Sequence, residues 1–350
     1  MPSQDPPVGS HRAASPLRLR PAALALGSAL ACAALAATAV PPASATARGT
    51  GAAAGVAGSP GMAVAPYFYN GWGDPPDPVA VMRATGVRWF SMAFVLDGGG
   101  CDPRWDGTRP LTGGADQATV DTVRAAGGDV IASFGGGRGP YLETECPDAA
   151  ALAAAYRRVI DAYGLRAIDV DIEGAPYADA GVRRKVVEAL KSVKAADPGL
   201  VEYVTFPSGG DGPDATLVDR AAASGLRPDG WSIMPFDFGG AEHDMGAATV
   251  RAAEGLARVL RSAYGYDAAD AYHHMGISSE NGVTGDGEAI TQADFRTVAA
   301  YAARHRLARL TFWSVNRDRP CPGAYRTDDT CSGVAQRDWD FTKVLVGSGL

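Results

Sequence analysis

Asp169, Asp171 and Glu173 alternate with Ile168, Val170 and Ile172. Alternation with period two puts three carboxyl groups on one face of a β-strand and three β-branched side chains on the other. Acids are poor strand formers, and like charges on one strand face repel. A run that accepts this cost three times over points to carboxyls used in chemistry. Repulsion and burial hold at least one of them protonated near neutral pH, the state that a general acid needs. Gly164 before the run and Gly174 after it bound a short buried strand that ends at a loop. The alternative, an acidic edge strand with its charges in solvent, is opposed by the uniformly strand-like other face.

Positioning such a row requires a scaffold, and the rest of the chain supplies its pattern. Strands are expected near Ala63–Tyr69, Arg88–Val95, Asp129–Phe134, Ala167–Glu173, Val201–Phe206, Trp231–Asp237, Tyr272–Ser278 and Arg309–Val315. Amphipathic helical stretches separate them, clearest at Ala149–Tyr163, Val182–Ala196, Ala247–Tyr264 and Gln292–Arg304. Eight strand–helix pairs over about 290 residues fit a single-domain α/β fold, a (β/α)8 TIM barrel, better than an open doubly wound sheet. In such a barrel the chemistry lies at the C-terminal ends of the strands. Glu173 closes the fourth strand, Asp237 the sixth, Ser133-Phe134-Gly135-Gly136 the third, and Trp313 lies near the end of the eighth. Gly135-Gly136-Gly137 has neither the spacing nor the Lys of a phosphate-binding loop.

Residues 1–45 read as a secretory signal: Arg12, Arg18 and Arg20 precede an Ala/Leu-rich core from Pro21 to Val40, and Ala43-Ser44-Ala45 or Ala45-Thr46-Ala47 offers a cleavage site. A retained anchor is opposed by the small side chains and the Pro41-Pro42 break. Residues 46–61 read as a disordered Ala/Gly-rich lead-in, leaving 62–350 as the barrel. The chain has five cysteines. Cys32 falls in the signal, leaving Cys101, Cys146, Cys321 and Cys331, an even set that suggests two disulfides in an exported protein. Three connectivities exist. The short, Pro/Gly/Asp-rich Cys321–Cys331 interval favours a local staple, which leaves Cys101 with Cys146. No Cys-x-x-Cys pair supports zinc. The net charge of −7 is not clustered, which argues against nucleic acid and anionic membrane as partners. The mature protein is expected to be a secreted monomer.

The acidic run resembles the catalytic-strand signature of glycoside hydrolase family 18, the chitinases and endo-β-N-acetylglucosaminidases, which reads Asp-x-x-Asp-x-Asp-x-Glu. Its last three acids fall on Asp169, Asp171 and Glu173; its first falls on Arg166, a departure at the least chemical of the four. Other landmarks follow in order. Ser133-Phe134-Gly135-Gly136 is similar to the Ser-x-Gly-Gly motif of the third strand, Met234-Pro235-Phe236-Asp237 to the Met-x-Tyr-Asp motif of the sixth, and Trp313 to the eighth-strand Trp that floors the sugar subsite. Tyr67 and Trp105 are candidate sugar-stacking aromatics.

The resemblance implies cleavage of β-1,4-linked N-acetylglucosamine with retention and without a protein nucleophile. Glu173 would protonate the glycosidic oxygen, and the sugar's own 2-acetamido oxygen would attack the anomeric carbon. Asp171 would orient the acetamido N–H, and Asp169 would tune Asp171. No metal or organic cofactor is implied, and the partner is an N-acetylglucosamine polysaccharide or oligosaccharide. Phe236 stands where the family usually has Tyr, so a donor to the acetamido oxygen is missing. This keeps a second expectation open, a catalytically weak glycan-binding, lectin-like protein; a third is an endo-β-N-acetylglucosaminidase with the same chemistry and different loops.

Overall fold

The computed structural model describes residues 61–240, 242–324 and 329–350. The signal and lead-in expected before Gly61 lie outside them. Eight parallel strands run in sequence order: β1 Tyr67–Tyr69, β2 Trp89–Asp97, β3 Asp129–Gly135, β4 Ala167–Asp171, β5 Val201–Pro207, β6 Gly230–Met234, β7 Met275–Glu280 and β8 Arg309–Trp313. The first and last meet through a parallel bridge between Val64 and Leu310, where Leu310 N–H donates to the Ala63 carbonyl at 2.7 Å. This is the expected (β/α)8 barrel. Pro103–Trp105 adds a short antiparallel strand beside β2, and Gly282–Val283 pairs with Ala289–Ile290 in a hairpin after β7.

Several helices begin where a side chain satisfies their free N–H groups. Asp148 caps Ala149–Tyr163, Asp179 caps Ala180–Ala196 and Asp244 caps Met245–Tyr264, while Thr291 and Asp294 form a capping box at Gln292–His305. Among the described residues, no helix is long and apolar enough to cross a membrane.

The strands expected over Ala167–Glu173 and Arg309–Val315 end two residues early, at Asp171 and Trp313, and three further boundaries differ for a local reason. Pro66 lacks an N–H to continue the ladder, so regular β1 pairing begins at Tyr67. Pro235 likewise ends β6 at Met234, leaving Phe236 and Asp237 in a loop. Tyr272 belongs to the helix Ala268–His273, which Asp267 caps through Asp270 N–H at 2.8 Å, so β7 starts at Met275.

The two faces of β4 do different work. Ile168, Val170 and Ile172 pack into the core shared with Val182, Val186 and Leu190 of the following helix. Inside the barrel, Trp89, Ile131, Ala167, Val201 and Tyr203 form an apolar layer. Asp169 lies one pleat above Ala167 along the same face, among polar side chains. Both expected disulfides are present, Cys101–Cys146 and Cys321–Cys331. The first ties the loop after β2 to the loop after β3.

Candidate active site

The carboxyl row climbs from the buried barrel interior into a cleft. Asp169 is fully buried and accepts three hydroxyl hydrogen bonds, from Tyr67 at 2.7 Å, Ser133 at 2.6 Å and Thr205 at 2.8 Å. The guanidinium of Arg309, also fully buried, lies 3.9 Å from its Oδ2 and donates to Ser91 Oγ at 2.8 Å. An interior charge is tolerated only when paired and hydrogen-bonded in this way. Asp171, the next acid up, is almost wholly buried, yet its Oδ1 has no hydrogen-bond partner. Burial raises its pKa well above the usual range; Glu173 and Asp169 add to the rise, and Arg309 opposes it. Glu173 has left the strand and occupies the cap position of the short helix Gly174–Ala178. Its pKa is pushed up to about 7, first by burial and then by the charge of Asp237. Proton affinity is therefore raised at the two upper acids, while the lowest accepts three hydroxyl donors.

The Ser133-Phe134-Gly135-Gly136 turn makes room for this row. Gly135 has φ +91°, and a Cβ there would fall 2.1 Å from the Asp171 carbonyl oxygen, so no other residue lets β3 approach β4 this closely. The same carbonyl accepts the Gly136 N–H at 2.8 Å. Ser133 is thus both part of the turn and a donor to Asp169.

The cleft above has a volume of about 440 Å³. Asp171, Glu173, Met234, Phe236, Asp237, Trp313 and Tyr67 all line it, so the structure gathers most of the residues singled out in the sequence. Trp313 is half-buried and backed by Phe94, with ring centroids 5.5 Å apart and planes 11° from parallel. Trp72, 47% exposed, stands at the rim edge-on to Tyr69 and 6.3 Å from Trp313. Tyr67 lines the cleft, but its hydroxyl is engaged by Asp169 and its pKa is raised well above the usual value, chiefly by burial.

Trp105 is not a sugar platform. It is 1% exposed, pairs with Val95 in the added strand, and donates its indole N–H to Tyr163 Oη at 2.9 Å. Its ring packs edge-on against Tyr163 from the helix Ala149–Tyr163. A buried indole with its N–H satisfied by a core partner is structural.

Sequence reasoning missed several cleft and support residues. Arg309, Thr311 and Trp313 share one face of β8 by the same period-two rule that marked β4, so an inward Arg could have been read two turns of the pleat below the Trp. Glu280, at the end of β7, lines the cleft with its pKa pushed up to about 7 by burial, against the lowering effect of Arg317. Arg317 bonds both Glu280 and Asp329. Nothing local in the sequence marks that grouping, because Glu280 ends β7, Arg317 lies in the turn after β8 and Asp329 is further along the chain.

An eight-stranded parallel barrel with a row of acids rising from its fourth strand puts the candidate site at the C-terminal strand ends. No family model matches the chain. It is 27% identical over 282 residues to the probable bifunctional chitinase/lysozyme of Escherichia coli K12 and 25% identical over 283 residues to endochitinase 11 of Metarhizium anisopliae, each alignment covering 75% of this chain. The chain spans 31% and 53% of the length of these two curated relatives. The catalytic domain of the hyperthermophilic chitinase from Pyrococcus furiosus superposes with a TM-score of 0.75 at 28% identity, covering 83% of this chain and 95% of that one. These likenesses support a chitinase-like protein of the glycoside hydrolase family 18 kind.

Proposed function

We propose that this protein is a secreted chitinase that hydrolyses β-1,4 bonds between N-acetylglucosamine units with retention, through the substrate's own 2-acetamido group. The observation that carries the reading is the gradient along β4: Asp169 fully hydrogen-bonded, Asp171 buried with a free acceptor atom, and Glu173 protonatable near pH 7 in the cleft. Glu173 gives its proton to the glycosidic oxygen as the bond from that oxygen to the anomeric carbon breaks. The acetamido oxygen closes on the anomeric carbon, forming an oxazolinium ring. Its N–H is the donor that the unpartnered Oδ1 of Asp171 lacks, and a carboxyl there stabilises the positive charge as it develops. Glu173, now ionised, takes a proton from water as that water opens the ring from the opposite side. Trp313 offers the sugar an apolar face, braced by Phe94.

Export is supported by the N-terminal charge and hydropathy pattern together with the two disulfides. The test is a soluble N-acetylglucosamine oligomer incubated with purified protein, beside a pull-down on insoluble chitin. Cleavage with retained anomeric configuration is expected; binding without cleavage would replace the enzyme reading with a lectin-like one.

A further inference from the structure

The loop that follows β6 carries Asp237 in a left-handed backbone conformation, φ +55°, which a non-glycine residue adopts only when its surroundings impose it. Gly239 and Gly240 are left-handed as well, at φ +89° and +73°. The backbone N–H groups of this turn converge on one buried side chain from the hairpin after β7. Glu288, 2% exposed, accepts Asp237 N–H at 2.9 Å through Oε2, and Phe238 N–H at 2.7 Å and Gly240 N–H at 3.2 Å through Oε1. Thr284 Oγ1 adds a longer bond to Oε2 at 3.4 Å. The neighbouring Asp286 accepts the remaining Gly239 N–H at 2.9 Å, and its own N–H donates to Asp237 Oδ1 at 2.9 Å. Turn and hairpin therefore grip each other, with the Asp237 carboxyl held against Gly285 on the cleft wall.

Glu288 does not line the cleft. A carboxyl group buried outside the site, at considerable desolvation cost, and wrapped by three N–H groups of one turn has a task in fixing that turn. We propose that Glu288 is a positioning residue: by clamping the 237–240 turn it holds the Asp237 carboxyl near Glu173 and so governs the proton affinity of the cleft's acid. The inference rests on the reading of Glu173 as general acid, and it adds a residue that acts through Asp237 rather than on the sugar. The groups around Glu173 are Asp171 at the end of β4, Tyr141 and Arg138 from the segment after β3, Asp237 from the β6 loop and Glu280 from β7. Asp171 and Glu173 repel each other, and Asp237 is the acid from another element whose charge adds to burial in opposing ionisation of Glu173. Freed from the clamp, Asp237 would turn toward solvent, where its repulsion is screened.

The deciding measurement is the titration midpoint of the Glu173 carboxyl, followed by NMR in full-length protein carrying side-chain 13C-labelled glutamate and assigned by comparison with Glu173→Gln. Glu288→Gln keeps the side-chain volume but cannot accept from the whole turn. It should lower the midpoint by roughly half a pH unit or more. Asp237→Asn should lower it too, and the double variant should move no further than Asp237→Asn alone. On N-acetylglucosamine oligomers the basic limb of the rate profile should shift by the same amount. An unmoved Glu173 midpoint in folded Glu288→Gln overturns the proposal, as does full additivity in the double variant. Should Glu288→Gln fail to fold, the exposed Asp286→Ala removes just the Gly239 bond; a smaller downward shift supports the clamp and no shift overturns it. Wild-type protein inert toward the oligomers would sink the hydrolase reading instead, and the carboxyl titration would still judge Glu288.

Discussion

Tyr67 and Asp169 lie 102 positions apart in the chain and are joined by a 2.7 Å hydrogen bond across the barrel interior, from the phenol of β1 to the deepest acid of β4. The bond joins the aromatic wall of the cleft to the base of the acid row, so the same side chain that faces the cleft also helps to fix the charge below it.

Tyr67→Phe tests this link. Removing one of three hydroxyl donors from a buried carboxyl should destabilise the fold by about 1.5–3 kcal/mol, the range for hydrogen bonds to charged groups. If Asp169 tunes Asp171 as proposed, turnover on N-acetylglucosamine oligomers should fall more than KM changes. Denaturant titration and steady-state kinetics check the two halves separately. Unchanged turnover in a destabilised protein would limit Tyr67 to a structural role.

Glu173→Gln should abolish hydrolysis while leaving glycan binding nearly intact, because the amide has the same shape and cannot donate a catalytic proton. Residual turnover above a few per cent, a barrier raised by only about 2 kcal/mol, would contradict the assignment. The wild-type rate should fall above pH 7, as Glu173 loses its proton. The same shift has a consequence for stability. A carboxyl whose folded pKa is raised to about 7 from 4.5 favours the native state at low pH, and that contribution is lost as pH rises between those values. Glu173→Gln cannot ionise, so its melting temperature should exceed that of wild type at pH 8 and match it near pH 4, as read by calorimetry.

Phe236→Tyr should raise turnover if the missing hydroxyl limits catalysis, since Phe236 lines the cleft and a new O–H could bond the attacking acetamido oxygen. The change should fall on kcat more than on KM. A lost donor of this kind costs about 2.7–4 kcal/mol, so a gain of roughly 100- to 1,000-fold is available. No gain in a correctly folded variant would mean that another donor already serves. If both proteins are inert and chitin binding persists, the lectin-like reading is preferred.

Trp105→Ala should cost about 3–5 kcal/mol of stability, the range for emptying a core aromatic site, with the Tyr163 hydroxyl left without its indole partner. Oligomer affinity of the folded fraction should stay close to that of wild type. A selective loss of affinity would return Trp105 to the binding surface.

The sequence by itself determined the barrel and the acid row, because both are written in short periods. Period-two alternation sends every second residue of a strand to the same face, so Asp169 and Asp171 were legible as inward-facing without any partner in view. The alternation of strands with amphipathic stretches then fixed the (β/α)8 order, and the strand-end rule brought Asp237 and Trp313 to the same rim. Local chemistry set the strand limits too, though the effect of Pro66 and Pro235 was stronger than the apolar pattern around them. Only the tertiary structure decided how the acids differ. Asp169 meets hydroxyls from β1, β3 and β5 and a guanidinium from β8, while Asp171 meets none of those hydroxyls, and no window of sequence contains those neighbours. The same reasoning explains Trp105, whose side chain turns to Tyr163 rather than the cleft, and Glu288, whose partners lie some fifty residues away in the β6 loop. Periodicity reports which face a side chain takes; which groups share that face depends on the closing of the barrel, and proton affinity depends on those groups.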